Sequence, residues 1–157
     1  MRKIAWCTLS GRSGHEAGRQ LLAQLYREER GQPLPPIAVT ERGKPYFPDS
    51  DLHFSISHTK NHAFCVLSDR NVGIDAEEAD RNIRLELAEK ILSPGEAEQF
   101  RKAEDPRRAL LTFWVLKEAA TKRSGEGLRG YPRDTDFSLE DPRVTEVDGC
   151  LVAILTD

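Results

Sequence analysis

The fold class is decided by the stretch Leu52–His58, LHFSISH, in which apolar and polar side chains alternate. Such alternation predicts a β-strand with one face in the core and the other toward solvent. Two further runs, Ala63–Leu67 and Val72–Glu77, follow after short polar turns. Because short turns join antiparallel neighbours, the three runs predict an antiparallel meander.

Helix and strand signals flank this meander on both sides. Helices are expected where apolar residues recur at helical spacing and where caps, prolines or a final glycine mark the ends. They are predicted over His15–Arg30 (ended by Gly31), over Arg84–Leu92, from the capping box at Ser93-Pro94-Gly95-Glu96, and from Asp105-Pro106 to Gly125. Further strands are predicted over Lys3–Leu9, Ile37–Val39, Asp136–Leu139 and Leu151–Leu155. This mixed order predicts an α+β fold rather than a parallel βαβ sheet.

Composition and charge exclude several classes of protein. The chain has 157 residues, of which 31% are charged, and a formal net charge of −3. A core can form at this length without disulfides, and the lack of a basic excess argues against nucleic-acid binding. No apolar run approaches the roughly 20 residues of a membrane span, and the N-terminus does not resemble a signal peptide. Cys7, Cys65 and Cys150 are widely spaced with no CxxC pair, so we expect buried thiols in the cytoplasm rather than disulfides or zinc ligands.

Two carboxylates mark the end of the third predicted strand. Asp75 and Glu77 are two residues apart, so on a strand their side chains project from one face. Paired carboxylates repel each other unless a proton or a cation relieves them, and oxygen ligands favour a hard ion such as Mg²⁺. A solvated acidic strand end is the alternative interpretation of this pair.

The long predicted helix carries a second candidate. Trp114, Glu118 and Lys122 follow one another at intervals of four and therefore share a helix face. An exposed Glu–Lys pair at this spacing is common on helix surfaces, but a tryptophan seldom lies on a fully solvated face. We therefore expect Glu118 to be half-buried, as suits a third metal ligand or a general base.

The remaining candidates are polar residues at turns and a run of basic residues. Ser57 and His58 lie where a strand meets a turn. Because no GxSxG motif is present and adjacent strand residues point to opposite faces, a phosphate contact or a structural role for His58 is favoured over a Ser–His nucleophile. Arg42 and Lys44 flank Gly43, which suits either a ligand contact or an exposed turn. A basic rim for an acidic partner or for nucleotide phosphates is expected from Lys117, Lys122, Arg123, Arg129 and Arg133.

Four segments, in this order, resemble the 4′-phosphopantetheinyl transferases of the Sfp type. They are Gly43–Tyr46 (GKPY), Phe54–His58 (FSISH), Val72–Glu77 (VGIDAE) and Trp114–Lys122 (WVLKEAATK), and they extend over about half of the chain. The resemblance implies Mg²⁺-dependent transfer of the 4′-phosphopantetheine arm of coenzyme A to a serine of an acyl or peptidyl carrier protein, with release of 3′,5′-ADP. Carriers of fatty-acid, polyketide and nonribosomal-peptide biosynthesis all fit this activity.

The resemblance also implies roles for individual residues. The implied Mg²⁺ ligands are Asp75, Glu77 and Glu118. The implied contacts to coenzyme A come from Arg42, Lys44, Ser57, His58 and Lys122. The implied catalytic residues are Glu118, which would activate the carrier serine directly or through a water, together with Lys122 and His58 at the phosphates.

The family's architecture adds expectations about the fold and the assembly. Sfp-type members consist of two similar α+β halves, each with antiparallel strands and a long helix, related by a pseudo-twofold axis. We expect halves over about 1–68 and about 69–157, the first of them short. The candidates for the 3′-phosphate contact are Arg12, Arg19 and Arg42. A short first half keeps two alternatives open, a non-catalytic module that binds coenzyme A or a carrier protein and a Mg²⁺-dependent hydrolase of a nucleotide pyrophosphate. We expect a monomer, with a dimer as the alternative.

Overall fold

A computed structural model describes residues 1–126 and 135–157 of the chain. The strands are β1 (Arg2–Thr8), β2 (Ala38–Val39), β3 (Pro45–Tyr46), β4 (His53–His58), β5 (His62–Ser68), β6 (Val72–Glu78), β7 (Val144–Val147) and β8 (Cys150–Thr156). The helices are α1 (Gly14–Arg30), α2 (Ala88–Ile91) after a 3₁₀ turn over Leu85–Leu87, α3 (Pro94–Lys102) and α4 (Pro106–Ser124). None of these helices is both long and apolar enough to cross a membrane.

Two three-stranded antiparallel sheets carry the fold, and they share one connectivity. Their strand orders are β1-β5-β4 and β6-β8-β7, and β2 and β3 form a separate pair. In each large sheet an edge strand is followed by a long helix and then by two strands, of which the second lies in the centre. Helix α1 packs on the first sheet and α4 on the second. The predicted α+β class is confirmed, whereas a twofold axis relating the two units stays a prediction.

Apolar side chains fill three layers of this arrangement. One cluster lies between α1 and the first sheet and includes Leu22 and Phe54. A second lies between α4 and the second sheet and includes Leu116. The third joins the two sheets to each other and includes Phe64 and Ile74. Each sheet therefore has one face toward its helix and the other toward the neighbouring sheet.

The ends of the helices follow the predicted local signals. Gly31 and Gly125 end α1 and α4 in the left-handed conformation, with φ of 65° and 73°. Ser93 and Glu96 form the predicted capping box at the start of α3, with both reciprocal hydrogen bonds present. Asp105 caps α4 with its side chain. These contacts lie within one helical turn, which is why the sequence alone predicts them.

The predicted meander is wrong at its third strand. Strands β4 and β5 pair as expected, but β6 pairs with β8 in the other sheet. The hydroxyls of Ser55 and Ser57 on β4 accept hydrogen bonds from the backbone amides of Ile74 and Ala76 on β6, each at 3.0 Å. These serine bonds attach β6 to β4 without a backbone ladder. As a result the middle of β4 is buried on both faces, not on one face as the alternation predicted.

The predicted strand over Asp136–Leu139 is also wrong, because side chains of α3 take the place of a neighbouring strand. The Glu96 Oε2 atom accepts a hydrogen bond from the amide of Phe137 at 2.7 Å. Gln99 donates to the Phe137 carbonyl at 3.1 Å and accepts from the Leu139 amide at 3.0 Å. The backbone of this segment is thus satisfied without pairing to a strand.

Strand β7 lies farther along the chain and joins β8 through a two-residue turn. Asp148 and Gly149 form this turn with φ of 48° and 79°, between the paired residues Val147 and Cys150. Two successive positive φ angles are typical of a type I′ hairpin, for which Asp-Gly is a preferred sequence. This dipeptide is the local signal from which the hairpin could have been predicted.

Gly73 allows β6 to lie directly against α4. A Cβ atom at this position would stand 2.1 Å from the carbonyl oxygen of Ala119 and 2.5 Å from the amide nitrogen of Arg123. Both atoms belong to the helix backbone, so they cannot give way without a shift of α4. The lack of a side chain at Gly73 therefore brings the next residues of β6 close to the residues of α4.

We expect Gly73→Ala to lower the free energy of unfolding by about 1–3 kcal/mol or more, because the added methyl overpacks a rigid contact. Urea unfolding measures this loss. Gly18→Ala is the matched control, because there the new Cβ meets the side chain of Ile56 (Cγ2 at 2.5 Å), which can change its rotamer. Equal losses for the two variants would contradict a special closeness of β6 and α4.

Candidate functional site

The carboxylates predicted from β6 and α4 lie in one region of the structure. Asp75 is 6% exposed on β6, and Glu77 follows it on the same strand face in a half-buried position. Glu118 is half-buried, as expected, on α4, the helix that packs on β6. The three groups influence one another electrostatically, since Glu77 and Glu118 both act to raise the pKa of Asp75.

Asp75 is the most strongly perturbed of these carboxyls. Burial raises its pKa to about 7, against the opposing effect of the Lys122 ammonium. The Oδ1 atom accepts hydrogen bonds from Lys122 Nζ at 3.3 Å and from Ser57 Oγ at 3.4 Å. The Oδ2 atom is buried and has no hydrogen-bond partner among the described residues. A buried carboxylate oxygen without a partner is costly unless a proton or a cation neutralises it.

The pKa of Glu118 is also raised, although this side chain is more accessible to solvent than Asp75. Burial raises its pKa, the Lys122 charge opposes this, and the Glu77 charge adds to it. A carboxylate whose pKa lies above its ordinary range holds a proton more readily at neutral pH. Glu118 is therefore suited to take a proton from a hydroxyl group bound beside it.

Glu77 is held by two neighbours whose contacts were not predicted from the sequence. Its Oε1 atom accepts hydrogen bonds from Arg81 Nη1 at 2.8 Å and from the indole of Trp114 at 3.2 Å. The Arg81 guanidinium lies 5.7 Å from the centre of the Trp114 ring. Trp114 thus contributes to the site by orienting Glu77. No spacing rule indicates Arg81, because Glu77 is on a strand and Arg81 follows in the turn after it.

The three carboxylates are the kind of oxygen ligand that a hard divalent cation prefers. Their oxygens are not clustered as closely as those of a preformed metal site. Among the described residues, the one trio of His, Cys, Asp or Glu whose ligand atoms all lie within 4.8 Å of one another is located elsewhere. Oε1 of Glu77 is already bonded to Arg81 and Trp114. The orphaned Oδ2 of Asp75 and the half-buried Glu118 are oxygen donors of the kind that Mg²⁺ uses.

A cavity of about 250 Å³ lies beside Lys122, the residue that pairs with Asp75. Lys122 connects the two, since its side chain lines the cavity while its Nζ atom lies 3.3 Å from Asp75 Oδ1 and 3.3 Å from the Ile56 carbonyl. The other polar and charged residues of the lining are Arg42, Lys44, Ser55 and Thr121. The lining therefore contains three cationic side chains, of which Lys122 contacts Asp75.

Lys44 and Arg42 line the cavity but also support the end of α4. Lys44 Nζ donates hydrogen bonds to Asn71 Oδ1 and to the Arg123 carbonyl, both at 2.6 Å. Burial lowers the pKa of Lys44, partly offset by the charge of Asp157. Arg42 Nη1 donates to the Glu126 carbonyl at 3.4 Å. Carbonyl groups at a helix C-terminus attract cations, so this role accompanies any contact with a ligand.

Ser57 and His58 lie on opposite sides of β4. The Ser57 hydroxyl is buried and binds Asp75 and the amide of Ala76, so it positions the site; a contact between Ser57 and a ligand stays a prediction. The His58 ring is exposed and packs on Gly14, where a Cβ atom would lie 2.3 Å from the ring. The structure therefore gives no Ser–His nucleophile pair at this position.

The predicted basic rim is wrong for Lys117. This side chain is 3% exposed and forms an ion pair with the fully buried Glu96, with Nζ and Oε1 2.7 Å apart. The apolar residues on both sides of Lys117 in α4 are the sequence signal that could have indicated its burial. Lys122 and Arg123 remain partly exposed. Arg129 and Arg133 lie outside the described residues.

Comparison with known proteins relates the matched region to one enzyme family. The sequence model of the 4′-phosphopantetheinyl transferase superfamily matches residues 71–150, about half of the chain. A 4′-phosphopantetheinyl transferase of Bacillus subtilis is 34% identical over 107 residues, which cover 66% of this chain and 46% of the relative. The 4′-phosphopantetheinyl transferase HetI of Nostoc sp. is 37% identical over 131 residues, covering 81% of this chain and 51% of the relative.

A third relative, the 4′-phosphopantetheinyl transferase gsp of Aneurinibacillus migulanus, is 34% identical over 90 residues, covering 56% of this chain and 37% of the relative. The chain thus spans about half the length, or less, of the curated relatives that it matches. The family match includes β6, α4 and the three carboxylates described above. The chain belongs to the 4′-phosphopantetheinyl transferase superfamily.

Proposed function

We propose that this protein transfers the 4′-phosphopantetheine arm of coenzyme A to a serine of an acyl or peptidyl carrier protein, in a Mg²⁺-dependent reaction that releases 3′,5′-ADP. The observation that carries the proposal is the buried Asp75, whose Oδ2 atom has no hydrogen-bond partner among the described residues, beside Glu118 and Lys122 at the edge of a cavity. This group lies within the stretch that the family model matches.

Asp75, Glu77 and Glu118 are the proposed ligands of Mg²⁺. The bound ion would neutralise the negative oxygens of the pyrophosphate, which otherwise repel an attacking oxygen. Asp75 offers its unpartnered Oδ2 atom, and its ionised form gains most from a nearby cation because burial disfavours it. The hydrogen bonds from Arg81 and Trp114 both reach Oε1 of Glu77. We therefore expect Glu77 to bind the ion through its other oxygen or to release Arg81.

Coenzyme A is proposed to lie along the cavity and across β4 to the start of α1. A volume of about 250 Å³ is small for a ligand pocket, so it takes one part of the molecule. Lys122, Lys44 and Arg42 would face its phosphates there. His58 lies against Gly14, the first residue of α1, where the helix N-terminus favours a phosphate.

The arginines close to this helix are the proposed contacts to the 3′-phosphate. Arg12 precedes α1 and bonds to the carbonyls of Leu9 and Thr8 and to Gln20. Arg19 is half-buried within α1. Both arginines are proposed as phosphate contacts because they carry positive charge near this end of α1.

The proposed reaction is an in-line displacement at phosphorus. Glu118 takes the proton of the carrier serine, directly or through a water, and the serine oxygen forms the new bond to the phosphorus that carries the pantetheine arm. The bond from this phosphorus to the bridging oxygen breaks, and 3′,5′-ADP leaves with the electron pair. Lys122 and His58 stabilise the charge that collects on the departing phosphate.

The proposed partner is an acidic helical carrier protein. Lys122 and Arg123, the partly exposed members of the predicted basic rim, lie at the end of α4 near the cavity. Opposite charges on the carrier would guide it to this edge. We propose that the chain acts as a monomer of two halves, over about 1–68 and about 69–157, with a dimer as the alternative.

The direct test of the proposed function uses mass spectrometry. The protein is mixed with coenzyme A, Mg²⁺ and a panel of apo carriers from fatty-acid, polyketide and nonribosomal-peptide systems, and each carrier is weighed. A gain of one phosphopantetheine on at least one carrier is expected. No gain on any carrier would reject the transfer reaction, and release of 3′,5′-ADP without a carrier would indicate hydrolysis instead.

We expect Glu118→Gln to reduce transfer about 10²–10⁴-fold, since the amide can neither accept the serine proton nor carry charge to Mg²⁺. Initial rates of carrier modification measure the effect. Glu104→Gln, at an exposed carboxyl between α3 and α4, is the control and should keep the parent rate. A Glu118→Gln variant with more than one tenth of the parent rate would remove Glu118 from this role.

A non-catalytic binding module is the second candidate function. It is favoured by one observation: among the described residues, Asp75, Glu77 and Glu118 do not form a trio of ligand atoms within 4.8 Å of one another. Calorimetry distinguishes the two candidates. Binding of coenzyme A or a carrier with no mass gain on any carrier would favour the module, whereas binding followed by modification favours the enzyme.

A further inference from the structure

A compact polar cluster lies where the two large sheets meet, apart from the proposed Mg²⁺ ligands. His62 is the first residue of β5, Glu78 the last of β6 and Cys150 the first of β8. His62 and Cys150 are buried, and Glu78 is half-buried. The pairing of β6 with β8 places Glu78 opposite Cys150, and the packing of the two sheets brings His62 to them. The adjacent apolar layer between the sheets, which includes Phe64, excludes bulk water from one side.

The ligand atoms of this cluster lie close enough together to bind one metal ion. Cys150 Sγ lies 3.4 Å from His62 Nδ1 and 3.4 Å from Glu78 Oε2, and His62 Nδ1 lies 2.9 Å from Glu78 Oε1. Ligand atoms at about 2.0–2.3 Å from a tetrahedral zinc ion are separated by about 3.3–3.7 Å. Small side-chain rotations therefore suffice to direct the three atoms toward one central point.

A second set of contacts orients these ligands. Asp148 Oδ2 lies 2.8 Å from His62 Nε2, on the side of the ring that faces away from the other two groups. The hydroxyl of Thr59 donates to Glu78 Oε1 at 2.8 Å. Metal-binding histidines commonly donate their second N–H to a carboxylate in this manner, which fixes the ring and its tautomer. The Asp-Gly turn between β7 and β8 holds Asp148 in place.

We propose that His62 Nδ1, the Glu78 carboxylate and Cys150 Sγ form a binding site for a divalent transition-metal ion of the zinc class, which links β5 of the first sheet to β6 and β8 of the second. Thiolate and imidazole ligands favour zinc over magnesium, which prefers oxygen ligands alone. Three protein ligands leave the fourth position to solvent. The ion can enter past Asp148, whose side chain is 51% exposed.

Binding must release protons from the ligands. In the metal-free cluster the pKa of Cys150 is raised to about 12 by burial, with the hydrogen bond and charge of Glu78 acting in the same direction. Burial lowers the pKa of His62, but the hydrogen bonds and charges of Asp148 and Glu78 outweigh it, so the pKa is raised. The metal displaces the thiol proton and the proton on Nδ1 into solvent.

The sequence alone argued against this site. Cys150 has no CxxC partner, and we expected the three cysteines not to be zinc ligands. The structure agrees that the thiols are free, with Cys65 and Cys150 buried and Cys7 partly exposed. Strand pairing supplies Glu78 and the packing of the two sheets supplies His62, so spacing along the chain does not reveal the other ligands of Cys150. The inference does not depend on the proposed transfer reaction.

Cobalt spectroscopy tests the site in the whole chain. The protein is treated with a chelator, transferred to metal-free buffer and titrated with Co²⁺ and then with Zn²⁺. We expect one Co²⁺ per chain with a sulfur-to-cobalt charge-transfer band in the near ultraviolet, which Zn²⁺ abolishes and Mg²⁺ leaves unchanged. Zn²⁺ should also raise the Tm of the parent protein.

Matched variants assign the ligands. Cys150→Ser should lose the charge-transfer band and bind Zn²⁺ at least tenfold more weakly, whereas Cys7→Ser, at the partly exposed cysteine, should retain both. If Cys150→Ser does not fold, His62→Gln provides the second test, because it should weaken Zn²⁺ binding while leaving all thiols in place. The absence of the band in the parent protein, or its persistence in Cys150→Ser, would overturn the proposal.

Discussion

Asp75→Asn is expected to reduce phosphopantetheine transfer by about a thousandfold while leaving the protein at least as stable as the parent near pH 8. The rate falls because the variant loses a charged ligand of Mg²⁺, and a loss of about 4 kcal/mol of transition-state stabilisation corresponds to that factor. The stability is maintained because the asparagine oxygen can still accept the hydrogen bonds of Lys122 and Ser57. A buried negative charge disappears at the same time.

The raised pKa of Asp75 determines whether the stability of the parent protein rises or falls with pH. An unfolded chain holds Asp75 at an ordinary pKa of about 3.9, whereas burial raises the pKa in the fold to about 7. Between these values the folded state binds more protons. The free energy of unfolding should therefore fall as the pH rises from about 4 to about 7, by an amount on the order of 4 kcal/mol for this group alone. The raised pKa of Glu118 contributes in the same direction.

Thermal unfolding of the parent and the variant in metal-free buffer checks both statements. The parent should lose more Tm between pH 5 and pH 8 than Asp75→Asn does. Mg²⁺ should raise the Tm of the parent at pH 8, where Asp75 is ionised, and have little effect on the variant. Asp80→Asn, at an exposed position just after β6, is the control and should behave as the parent. A destabilised Asp75→Asn with the same pH slope as the parent would contradict the assigned role of Asp75.

The largest loss of stability is expected from Lys117→Met. This change leaves the carboxylate of Glu96, which is 0% exposed, without the ammonium that lies 2.7 Å from it. Removal of one partner from a buried ion pair costs about 3–5 kcal/mol, because the remaining charge is neither solvated nor neutralised. Glu96 also holds the start of α3 and the amide of Phe137, so strain at this carboxylate spreads to both segments.

Urea unfolding measures this loss, and two further variants test its cause. In Lys117→Met/Glu96→Gln the stranded charge is removed, so a large part of the stability should return. Lys102→Met is the matched control, since Lys102 pairs with Glu98 on the surface of α3, with both side chains at least half exposed; it should leave the midpoint nearly unchanged. Equal losses for the single and the double variant would show that packing, not charge, governs this position.

Part of the candidate site was predicted because its residues are only two or four positions apart within one strand or one helix. Asp75 and Glu77 share a strand face, and Glu118 and Lys122 share a helix face, whatever the rest of the fold does. The structure brings these elements together through the close approach at Gly73. Nothing in the spacing indicated that Lys122 would bond to Asp75, because that contact joins residues 47 positions apart.

Other features were missed because they depend on long-range contacts. The alternation in Leu52–His58 predicted a solvent-facing row of serines, but Ser55 and Ser57 are covered by β6 and satisfy its backbone amides. A hydroxyl can face water or a buried amide with equal ease, so the pattern does not distinguish the two. Lys117 was expected at the surface because lysines usually are. Its buried ion-pair partner, Glu96, lies on another helix, so the local sequence does not reveal it.

Local sequence suffices to predict the features that arise within a few residues: the helix ends at Gly31 and Gly125, the capping box at Ser93, and the strand and helix faces of the site. These depend on local backbone angles and on bonds within one turn. Long-range packing is what places β6 in the second sheet and brings Cys150 to His62 across the interface between the sheets. Such contacts follow from which apolar faces pack together, and that choice is made by the whole chain.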